Sequence, residues 1–598
     1  MGKAVVQKKG RSSKPDEKPV RASQTEAVAS SESSKKPFKK NFKAKSNVIA
    51  KEVDPNKTKS ALRRDAKSDL KAKRNPDAEK TKSYFKKYSD LINSTKDGRD
   101  PASLVDGILA ELDMTTLSEF IVSHSGSRVI QACLKHGTDA QRTTIIEALR
   151  ENIFSSVQAN NYSLLAIEKV ISYGMQADKK LVLAKLISPL VTERKKVAKL
   201  YPHRVGSKFL NYIFTHKDIP TLTKKALVTI LTTSPHSDFH LTATADKLKA
   251  FYLETLRKTV DKELLALPLC HRMWRDILDQ FAQDPTFLAE ILGLVPSEAL
   301  PSFLGTRDGV AAFVRLLGVA QAKEKKNVIK ELKSRFPEIS TNSVCCSALL
   351  RLLEVTDDTV LTGKSIFGEI CGNFNEILFD QFGRLPFLFA LEGCEMKTPR
   401  YYPEPYRTLF ASSPVTSAMK VAEVKGKELQ SKFLPALTAF VKSNFYDVSR
   451  DVNAKDVAIE VLRVADVMTI NEAAASMVKK VTIGPHQVTV MLLSLRDGRI
   501  GNHMLKALVS SLNGKLSVEL CTSRWAFILL EMAKKSASFR ETLKGVVGLQ
   551  EAATLEETLG GAKALVEYIH SDAVSGEQVE EVAMEEDDEE DGLVLMED

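Results

Sequence analysis

The chain has 598 residues, of which 43% are hydrophobic, and its formal net charge is +10. That length exceeds what one compact core holds and fits several domains or one extended array of repeats. No uninterrupted apolar run reaches about 18 residues and the N-terminus lacks an apolar signal-peptide core, so the sequence predicts neither a membrane span nor a secretory signal. The seven cysteines are scattered and form no CxxC pair, which excludes a zinc or disulfide framework and predicts free thiols.

The two ends of the chain carry opposite charge. Residues 1–100 hold 28 Lys and Arg against 13 Asp and Glu. With few large apolar residues, residues 1–95 are predicted to be a disordered basic tail, because little burial is available to offset the entropy of ordering. The bases between Lys57 and Tyr88 keep a helical spacing and could order on RNA. Residues 571–598 are predicted to be a disordered acidic tail, which either contacts basic partners or stays solvated.

The densest basic cluster of the N-terminal tail fits a nuclear import signal or a phosphate-binding patch, with a plain solubilising tail as the alternative. It consists of Lys35, Lys36, Lys39 and Lys40.

From about Pro101 onward the sequence has a helical texture. Apolar residues recur at three- and four-residue spacing, beginning with Leu104, Ile108 and Leu112. Strand-like alternation is scarce and short. The sequence therefore predicts an all-α protein with helices of about 10–18 residues.

An internal repeat appears when the chain is aligned with itself. Ser123–Gly137 reads SHSGSRVIQACLKHG, and Asn160–Gly174 reads NNYSLLAIEKVISYG. A third copy spans His203–Asp218, and weaker copies follow as far as Phe379. Units of about 36–40 residues with two or three helices predict an α-solenoid, because one unit cannot bury its own apolar face. We place repeats over 101–375 and 376–570, and leave open whether Phe214–Leu269 is a degenerate repeat or an insertion.

Period alone does not separate HEAT/armadillo, TPR and PUF repeats, but the heptapeptide SGSRVIQ at Ser125–Gln131 resembles the recognition helix of the pumilio (PUF) family. In that family one repeat can bind one RNA base through side chains on one helix face. The resemblance implies that Ser127 and Gln131 contact the base edge and that Arg128 stacks on the base. In the family's code this set suits adenine.

The later repeats depart from that code, which argues against a sequence-specific messenger-RNA repressor. The matching positions are Leu164, Leu165 and Glu168 in repeat two, Ser207, Lys208 and Asn211 in repeat three, and Val310, Ala311 and Val314 in repeat five.

Over Pro101–His570 the order of segments resembles the Puf-A, or pumilio homolog 3-like, branch of the family. Phe433–Ala465 is similar to the CPL region that marks this branch. The resemblance implies an L-shaped array of PUF-like, armadillo-type repeats that binds RNA or DNA with little base specificity. It also implies a nuclear, nucleolar location, a role in large-subunit pre-rRNA processing, and pre-60S ribosomal particle proteins as partners. We expect a monomer.

Basic side chains on or beside the first three repeats are candidates for phosphate contacts, with a solvated helix face as the alternative for each. They are His124, Arg128, Lys135, Lys169, Arg194, Lys195, Lys196, Arg204 and Lys208. Tyr162, Tyr201 and Tyr212 could stack on bases, with buried packing as the alternative.

No phosphate-binding loop, zinc helix or nucleophile elbow is present in the sequence, so it predicts neither an enzyme nor a cofactor. The sequence leaves two other functions open. One is a HEAT-like protein scaffold that touches RNA only through its tail, and the other is a sequence-selective translational regulator.

Overall fold

The computed structural model describes residues 78–94, 96–112, 114–150, 152–173, 187–190, 192–233, 243–547 and 560–571. Within these ranges every regular element is a helix and no residue lies in a strand. The predicted all-α solenoid class is confirmed. The predicted basic cluster at residues 35–40 and the acidic tail beyond residue 571 lie outside the described ranges.

The first thirteen α-helices are α1 Ala78–Asn93, α2 Pro101–Ala110, α3 Met114–Val122, α4 His124–His136, α5 Asp139–Arg150, α6 Ile153–Ala159, α7 Asn161–Tyr173, α8 Arg194–Leu200, α9 Gly206–Thr215, α10 Thr221–Thr232, α11 Ala245–Asp261, α12 Pro268–Gln280 and α13 Pro285–Leu292. The next nine are α14 Arg307–Val319, α15 Ala322–Glu331, α16 Phe336–Thr341, α17 Cys346–Val355, α18 Thr359–Thr362, α19 Gly368–Ile370, α20 Phe374–Ile377, α21 Leu385–Leu391 and α22 Glu404–Ala411. The last ten are α23 Ala422–Ser443, α24 Phe445–Arg450, α25 Ala454–Val464, α26 Val467–Val478, α27 Pro485–Arg496, α28 Gly501–Leu512, α29 Val518–Thr522, α30 Trp525–Lys535, α31 Ala537–Val546 and α32 Gly560–His570. Short 3₁₀ turns span Ser297–Gly305, Cys371–Asn373 and Pro399–Tyr401, and Gly363–Phe367 is a π-helical turn.

Twelve of these helices form one continuous row, in which each packs against the next. The helix row consists of α1, α4, α7, α9, α12, α14, α17, α21, α25, α27, α30 and α32. The other helices pack beside it, and the buried residues from Leu91 to Ile569 form one core. The predicted domain boundary between residues 375 and 376 falls inside α20, a helix of four residues.

Glycines at the starts of row helices allow the preceding helix to end against them. Ser123 caps α4 by accepting a hydrogen bond from Gly126 N at 2.9 Å, and Thr306 caps α14 by accepting one from Gly309 N at 3.0 Å. A Cβ at either glycine would overlap a carbonyl oxygen, that of Phe120 or of Phe303. A side chain at this corner would therefore push consecutive helices apart.

In the stretch that the sequence left ambiguous, 214–269, the described residues include two helices beside the row. α10 and α11 lie between α9 and α12 in the chain, but α9 packs directly on α12. The Asn211 amide oxygen accepts a hydrogen bond from Leu269 N at 3.0 Å across that contact. The row is thus continuous, and the extra chain length is accommodated outside it.

Disorder through residue 95 was a wrong prediction for α1. This helix packs on α4 as the first member of the row, and Leu91 is buried. The Tyr84 ring meets the Phe120 ring edge-on at 4.1 Å between centroids. Tyr84, Tyr88 and Leu91 are spaced i, i+4, i+7, so one face of a strongly basic helix is apolar. The charge count over the whole N-terminal tail took no account of this apolar face.

Among the described helices, none is by itself both long and apolar enough to cross a membrane. One pair, α13 with the 3₁₀ turn Ser297–Gly305, reaches that length and composition only when taken together, across a bend of 102°.

Candidate nucleic-acid interface

One face of α4 presents the polar side chains predicted for RNA contact. His124, Arg128, Gln131 and Lys135 are spaced i, i+4, i+7 and i+11, which places them on one stripe of the helix. His124, Arg128 and Lys135 are exposed, and Gln131 is half-buried. The predicted residues of the first repeat therefore share one surface, with the exception of Ser127.

Ser127 is 1% exposed, and its hydroxyl is used within the protein. Its Oγ donates to the carbonyl oxygen of Tyr162 at 2.7 Å and accepts from Gln131 Nε2 at 3.0 Å. The two side chains thus link α4 to α7, the next helix of the row. Base-edge contacts by Ser127 and Gln131 stay a prediction.

Arg128 lies beside aromatic rings that the sequence analysis missed. Its guanidinium carbon is 5.9 Å from the centre of the Tyr88 ring, and the Phe85 ring lies 6.4 Å from Tyr88. Phe85 is 58% exposed. Both rings belong to α1, so a cation and two rings on neighbouring row helices share one surface. The apolar spacing within residues 78–93 was the signal that could have revealed them.

A second pair of rings lies one helix further along the row. The rings of His124 and Tyr162 meet edge-on at 5.0 Å. Tyr162 is 42% exposed and Leu165, at the predicted stacking position of repeat two, is 47% exposed. Tyr162 is therefore available to a stacked base, whereas a leucine there can offer only an apolar contact.

The other two candidate tyrosines serve packing. Tyr201 is buried, and burial raises the pKa of its phenol well above the ordinary value. Tyr212 is half-buried, and its hydroxyl donates to the carbonyl oxygen of Glu168 at 3.1 Å. Burial also raises the pKa of Glu168, which holds an edge-contact position in α7, while the charge of Lys169 acts in the opposite direction.

In the third repeat, the cations are exposed, whereas the residues predicted to contact the base edge are used within the fold. Arg204 and Lys208 are exposed. Ser207 is buried and its hydroxyl donates to Arg204 O at 3.3 Å, while Asn211 accepts the hydrogen bond from Leu269 described above. This repeat can offer positive charge, but its polar base-reading pair is engaged in the fold.

The remaining predicted cations lie off this stripe. Arg194, Lys195 and Lys196 are exposed on α8, which is outside the row. Lys196 pairs with Glu193, and its Nζ lies 5.5 Å from the centre of the Phe154 ring. Lys169 is half-buried, with Nζ 5.5 Å from the Tyr173 ring.

Charge compensation distinguishes the start of the row from its middle. On α12 and α14, Arg275 pairs with Asp308 at 2.6 Å and Arg315 pairs with Asp279 at 2.5 Å. Within the described ranges, no acidic partner is found for Arg128, Lys135, Arg204 or Lys208. α4 and the segment that begins α9 thus carry exposed cations without acidic partners in the described ranges, whereas Arg275 and Arg315 are compensated.

At α14 and α17 the chain itself crosses the row face. Residues 412–421, here called the crossover segment, run over α14 and α17. Thr416 N donates to Gly318 O at 3.1 Å, Ser417 Oγ donates to the same carbonyl at 3.0 Å, and Arg351 Nη2 donates to Ser413 O at 3.0 Å. The non-coding residues of repeat five, Val310, Ala311 and Val314, are buried. The stretch from α1 to α9, which carries the exposed cations Arg128, Lys135, Arg204 and Lys208, lies outside this crossing.

Sequence and structure comparisons agree with this arrangement. The family model described as "Pumilio-family RNA binding repeat" matches residues 124–150, which are α4 and α5. Pumilio homology domain family member 6 of Schizosaccharomyces pombe is 24% identical over 376 residues, which are 59% of this chain and 56% of that protein. Human pumilio homolog 3 is 24% identical over 385 residues, or 62% of this chain and 57% of that protein. The chain thus spans little more than half the length of these relatives.

The fold is that of a solved Puf-A structure. The crystal structure of human Puf-A superposes with a TM-score of 0.66 at 21% identity, covering 82% of this chain and all of that one. Human Puf-A in complex with DNA gives a TM-score of 0.65 at 20% identity, covering 79% of this chain and 99% of that one. The matched repeat and the related sequences, together with the shared fold, support a relationship of this chain to the Puf-A/pumilio homolog 3-like family of PUF-repeat proteins.

Proposed function

We propose that this protein binds structured RNA mainly through its phosphates, with little choice of base, and acts in nucleolar pre-rRNA processing and assembly of the large ribosomal subunit. The observation that carries the proposal is the open stretch of the row from α1 to α9. There, exposed cations without acidic partners in the described ranges lie beside exposed rings. Further along the row, Arg272, Arg275 and Arg315 of α12 and α14 are paired with acids.

Phosphate contacts supply affinity without sequence information, because each neutralised phosphate releases condensed counterions. Arg128 and Lys208 hold equivalent positions on α4 and α9, and Lys135 and Arg204 extend the charge along the same face. The rings of Tyr88 and Tyr162 can add base stacking, which tolerates any base because every base has a π-face.

Weak base choice follows from how the polar side chains are used. Ser127 and Asn211 make hydrogen bonds that join one row helix to the next. At the matching positions of repeat two, Leu164 is buried and Leu165 has no polar group. A binding surface of this kind senses the shape and charge of RNA more than its sequence.

The relatives support the class of ligand. The matched family model is named for RNA binding, and human Puf-A has been crystallised with DNA. The nucleolar location and the pre-rRNA substrate rest on the family resemblance. A fluorescently tagged full-length chain should colocalise with a nucleolar marker, and exclusion from nucleoli would contradict that part of the proposal.

The binding surface is tested with the full chain and two charge-matched variants. One carries Arg128→Gln with Lys208→Gln, and its control carries Lys479→Gln with Lys534→Gln, two exposed lysines far along the chain. Affinity for a structured pre-rRNA fragment and for a scrambled duplex of equal length is measured from about 50 to 200 mM salt. We expect similar affinities for both RNAs, a steep salt dependence, and a loss of about tenfold or more in the first variant alone. Equal affinities of the two variants would favour RNA contact through the tail only, as in the scaffold alternative.

A further inference from the structure

A second basic surface lies on α15, outside the helix row. This helix packs against the 3₁₀ turn Ser297–Gly305 and against the π-helical turn Gly363–Phe367. Its core side carries Val328, Ile329 and Lys325, all buried. The Lys325 ammonium donates to Val355 O at 2.8 Å and to Ser417 O at 3.0 Å, so this lysine helps to hold the crossover segment.

The opposite side of α15 is lined with exposed lysines. Lys323, Lys326 and Lys330 are spaced i, i+3 and i+7, and Lys333 lies in the turn that follows the helix. These four residues are here called the lysine ridge. At a rise of about 1.5 Å per residue, the ridge is roughly 15 Å long. A straight line of cations of that length can contact several successive phosphates of one nucleic-acid strand.

Two further lysines extend the charge onto neighbouring elements. Lys364 is exposed on the π-helical turn that packs against α15. Lys432 is exposed on α23, and a Cβ at Gly363 would lie 2.6 Å from its Cγ, which places the two segments side by side. The basic surface therefore spans three packed elements.

The nearby acids do not neutralise this surface. Glu324 is used in the α15 capping box, where it accepts a hydrogen bond from Gln321 N at 2.7 Å. Glu369 accepts from Ser334 N at 2.7 Å, and Glu428 pairs with Lys420 at 2.6 Å. Within the described ranges, no ion pair is formed by the four ridge lysines, Lys364 or Lys432. The hydrogen bond from Lys420 lowers the pKa of Glu428 and the charge of Lys432 contributes to that shift, whereas the charge of the ridge lysines and Lys364 remains available to a ligand.

The lysine ridge itself lacks the features of a protein-binding site. Protein interfaces centre on buried aromatic or apolar anchors, and lysine is depleted from them. Residues 321–335, all described, expose no large hydrophobic side chain. A ridge of lysines without an apolar anchor is instead suited to the phosphates of a nucleic acid.

We propose that the lysine ridge binds the phosphate backbone of a second RNA segment, so that one chain bridges two RNA segments. The first segment is the one on the row face from α1 to α9, and in that respect the inference rests on the proposed function. The ridge lies on a different layer of the fold. The two surfaces are separated along the row by α12 and α14, on which Arg272, Arg275 and Arg315 are paired with acids. A single short RNA segment on the row would leave the ridge free.

A capture experiment with the full chain tests bridging. One RNA hairpin is immobilised, the protein is bound to it, and recruitment of a second, fluorescent hairpin is measured at a protein concentration where light scattering shows a monomer. The ridge variant carries Lys323→Gln, Lys326→Gln, Lys330→Gln and Lys333→Gln. The control variant removes the same charge elsewhere, with Lys479→Gln, Lys506→Gln, Lys534→Gln and Lys535→Gln, all exposed lysines. Thermal unfolding of each variant verifies that it is folded.

We expect the ridge variant to bind the first hairpin within about twofold of the control, and to lose about tenfold or more of the recruitment of the second hairpin, because up to four phosphate contacts are removed. Equal recruitment by the ridge and control variants would overturn the proposal. So would ridge-dependent binding of an acidic peptide with the sequence of residues 577–598, if RNA recruitment does not depend on the ridge.

The variant Arg128→Gln with Lys208→Gln separates the two proposals. If it loses binding of the first hairpin, while the ridge variant recruits the second hairpin as well as its control does, the row surface is supported and the ridge is refuted. If it binds the first hairpin as its control does, while the ridge variant fails to recruit the second hairpin, the ridge is supported and the row surface is refuted.

Discussion

The guanidinium carbon of Arg351 lies 4.2 Å from the centre of the Phe410 ring, beneath the segment that covers the middle of the helix row. Arg351 is 1% exposed, pairs with Glu354 at 2.7 Å and donates to Ser413 O at 3.0 Å. The buried Arg351 side chain on α17 thus contacts the Phe410 ring of α22 and the backbone of the crossover segment. This contact holds the crossover segment against α17.

Removing the Arg351 side chain should therefore lower the free energy of unfolding. Arg351→Ala leaves Glu354 half-buried without its cation and leaves the Ser413 carbonyl oxygen without a donor. We expect a loss of about 3 kcal/mol in the free energy of unfolding, measured by urea denaturation. Arg335→Ala, which removes an exposed arginine 3.9 Å from Glu338, should change it by about 0.5 kcal/mol or less. Equal effects of the two substitutions would show that Arg351 does not hold the crossover segment.

The glycine corner of α14 gives a second stability test. In Gly309→Ala, the new methyl group would overlap Phe303 O and lie 2.8 Å from Nδ1 of His271. We expect a destabilisation of about 2 kcal/mol or more, because the buried backbone must shift. In Gly107→Ala the methyl group meets nothing within 4 Å, and the better helix former should stabilise α2 by up to about 1 kcal/mol. A tolerated alanine at 309 would contradict the close approach of the two segments.

His271 predicts a pH dependence of stability. Its Nε2 lies 2.6 Å from Leu265 O and its Nδ1 lies 2.8 Å from Thr306 Oγ1, so the neutral imidazole can donate to the first and accept from the second. Burial lowers the pKa of His271, and the charge of Asp308 acts in the opposite direction. The pKa of His271 is lower in the folded chain than in the unfolded chain. The contribution of its neutral imidazole to the free energy of unfolding is therefore complete above pH about 6.5, and it falls as the pH decreases toward the folded pKa.

Urea unfolding between pH about 5 and 7.5 measures this effect. We expect the wild-type free energy of unfolding to rise with pH in this window relative to that of His271→Gln, by at most about 1.4 kcal/mol per pH unit. Parallel curves for the two proteins would exclude a neutral buried imidazole.

Tyr162 should contribute to RNA affinity through stacking. Because Tyr162 is exposed at the row face, Tyr162→Ala should weaken binding by about 1–2 kcal/mol for RNAs of any base composition, while Tyr162→Phe keeps most of the affinity. Fluorescence anisotropy with four homopolymeric oligonucleotides measures both effects. A loss confined to one base would indicate specific recognition instead of stacking.

The repeat architecture could be predicted because it depends on local signals. The apolar spacing from Pro101 onward and the repeated segments Ser123–Gly137, Asn160–Gly174 and His203–Asp218 indicated α4, α7 and α9 correctly. The exposure of Arg128 and Lys208 followed from the same helical spacing. In each case, the residues that determine the feature are close together in the chain.

The features that the sequence did not reveal depend on distant contacts. The carbonyl oxygen that engages Ser127 belongs to Tyr162, and its position depends on how α7 packs against α4. Gly318 meets the crossover segment nearly 100 residues later in the chain, and no local pattern announces that contact. Likewise, the apolar face of α1 becomes buried only because α4 packs against it. The basic charge of this segment, taken alone, suggested a disordered tail.

The central claim is that RNA lies on the row face from α1 to α9. Ultraviolet crosslinking of the full chain to a structured pre-rRNA fragment, with mass spectrometric mapping of the crosslinked peptides, tests it most directly. We predict crosslinks within residues 78–215, at Phe85, Tyr88 and Tyr162 in particular, and none on Val310, Ala311 or Val314 beneath the crossover segment. Crosslinks confined to residues 1–77, with none between 78 and 215, would contradict the claim.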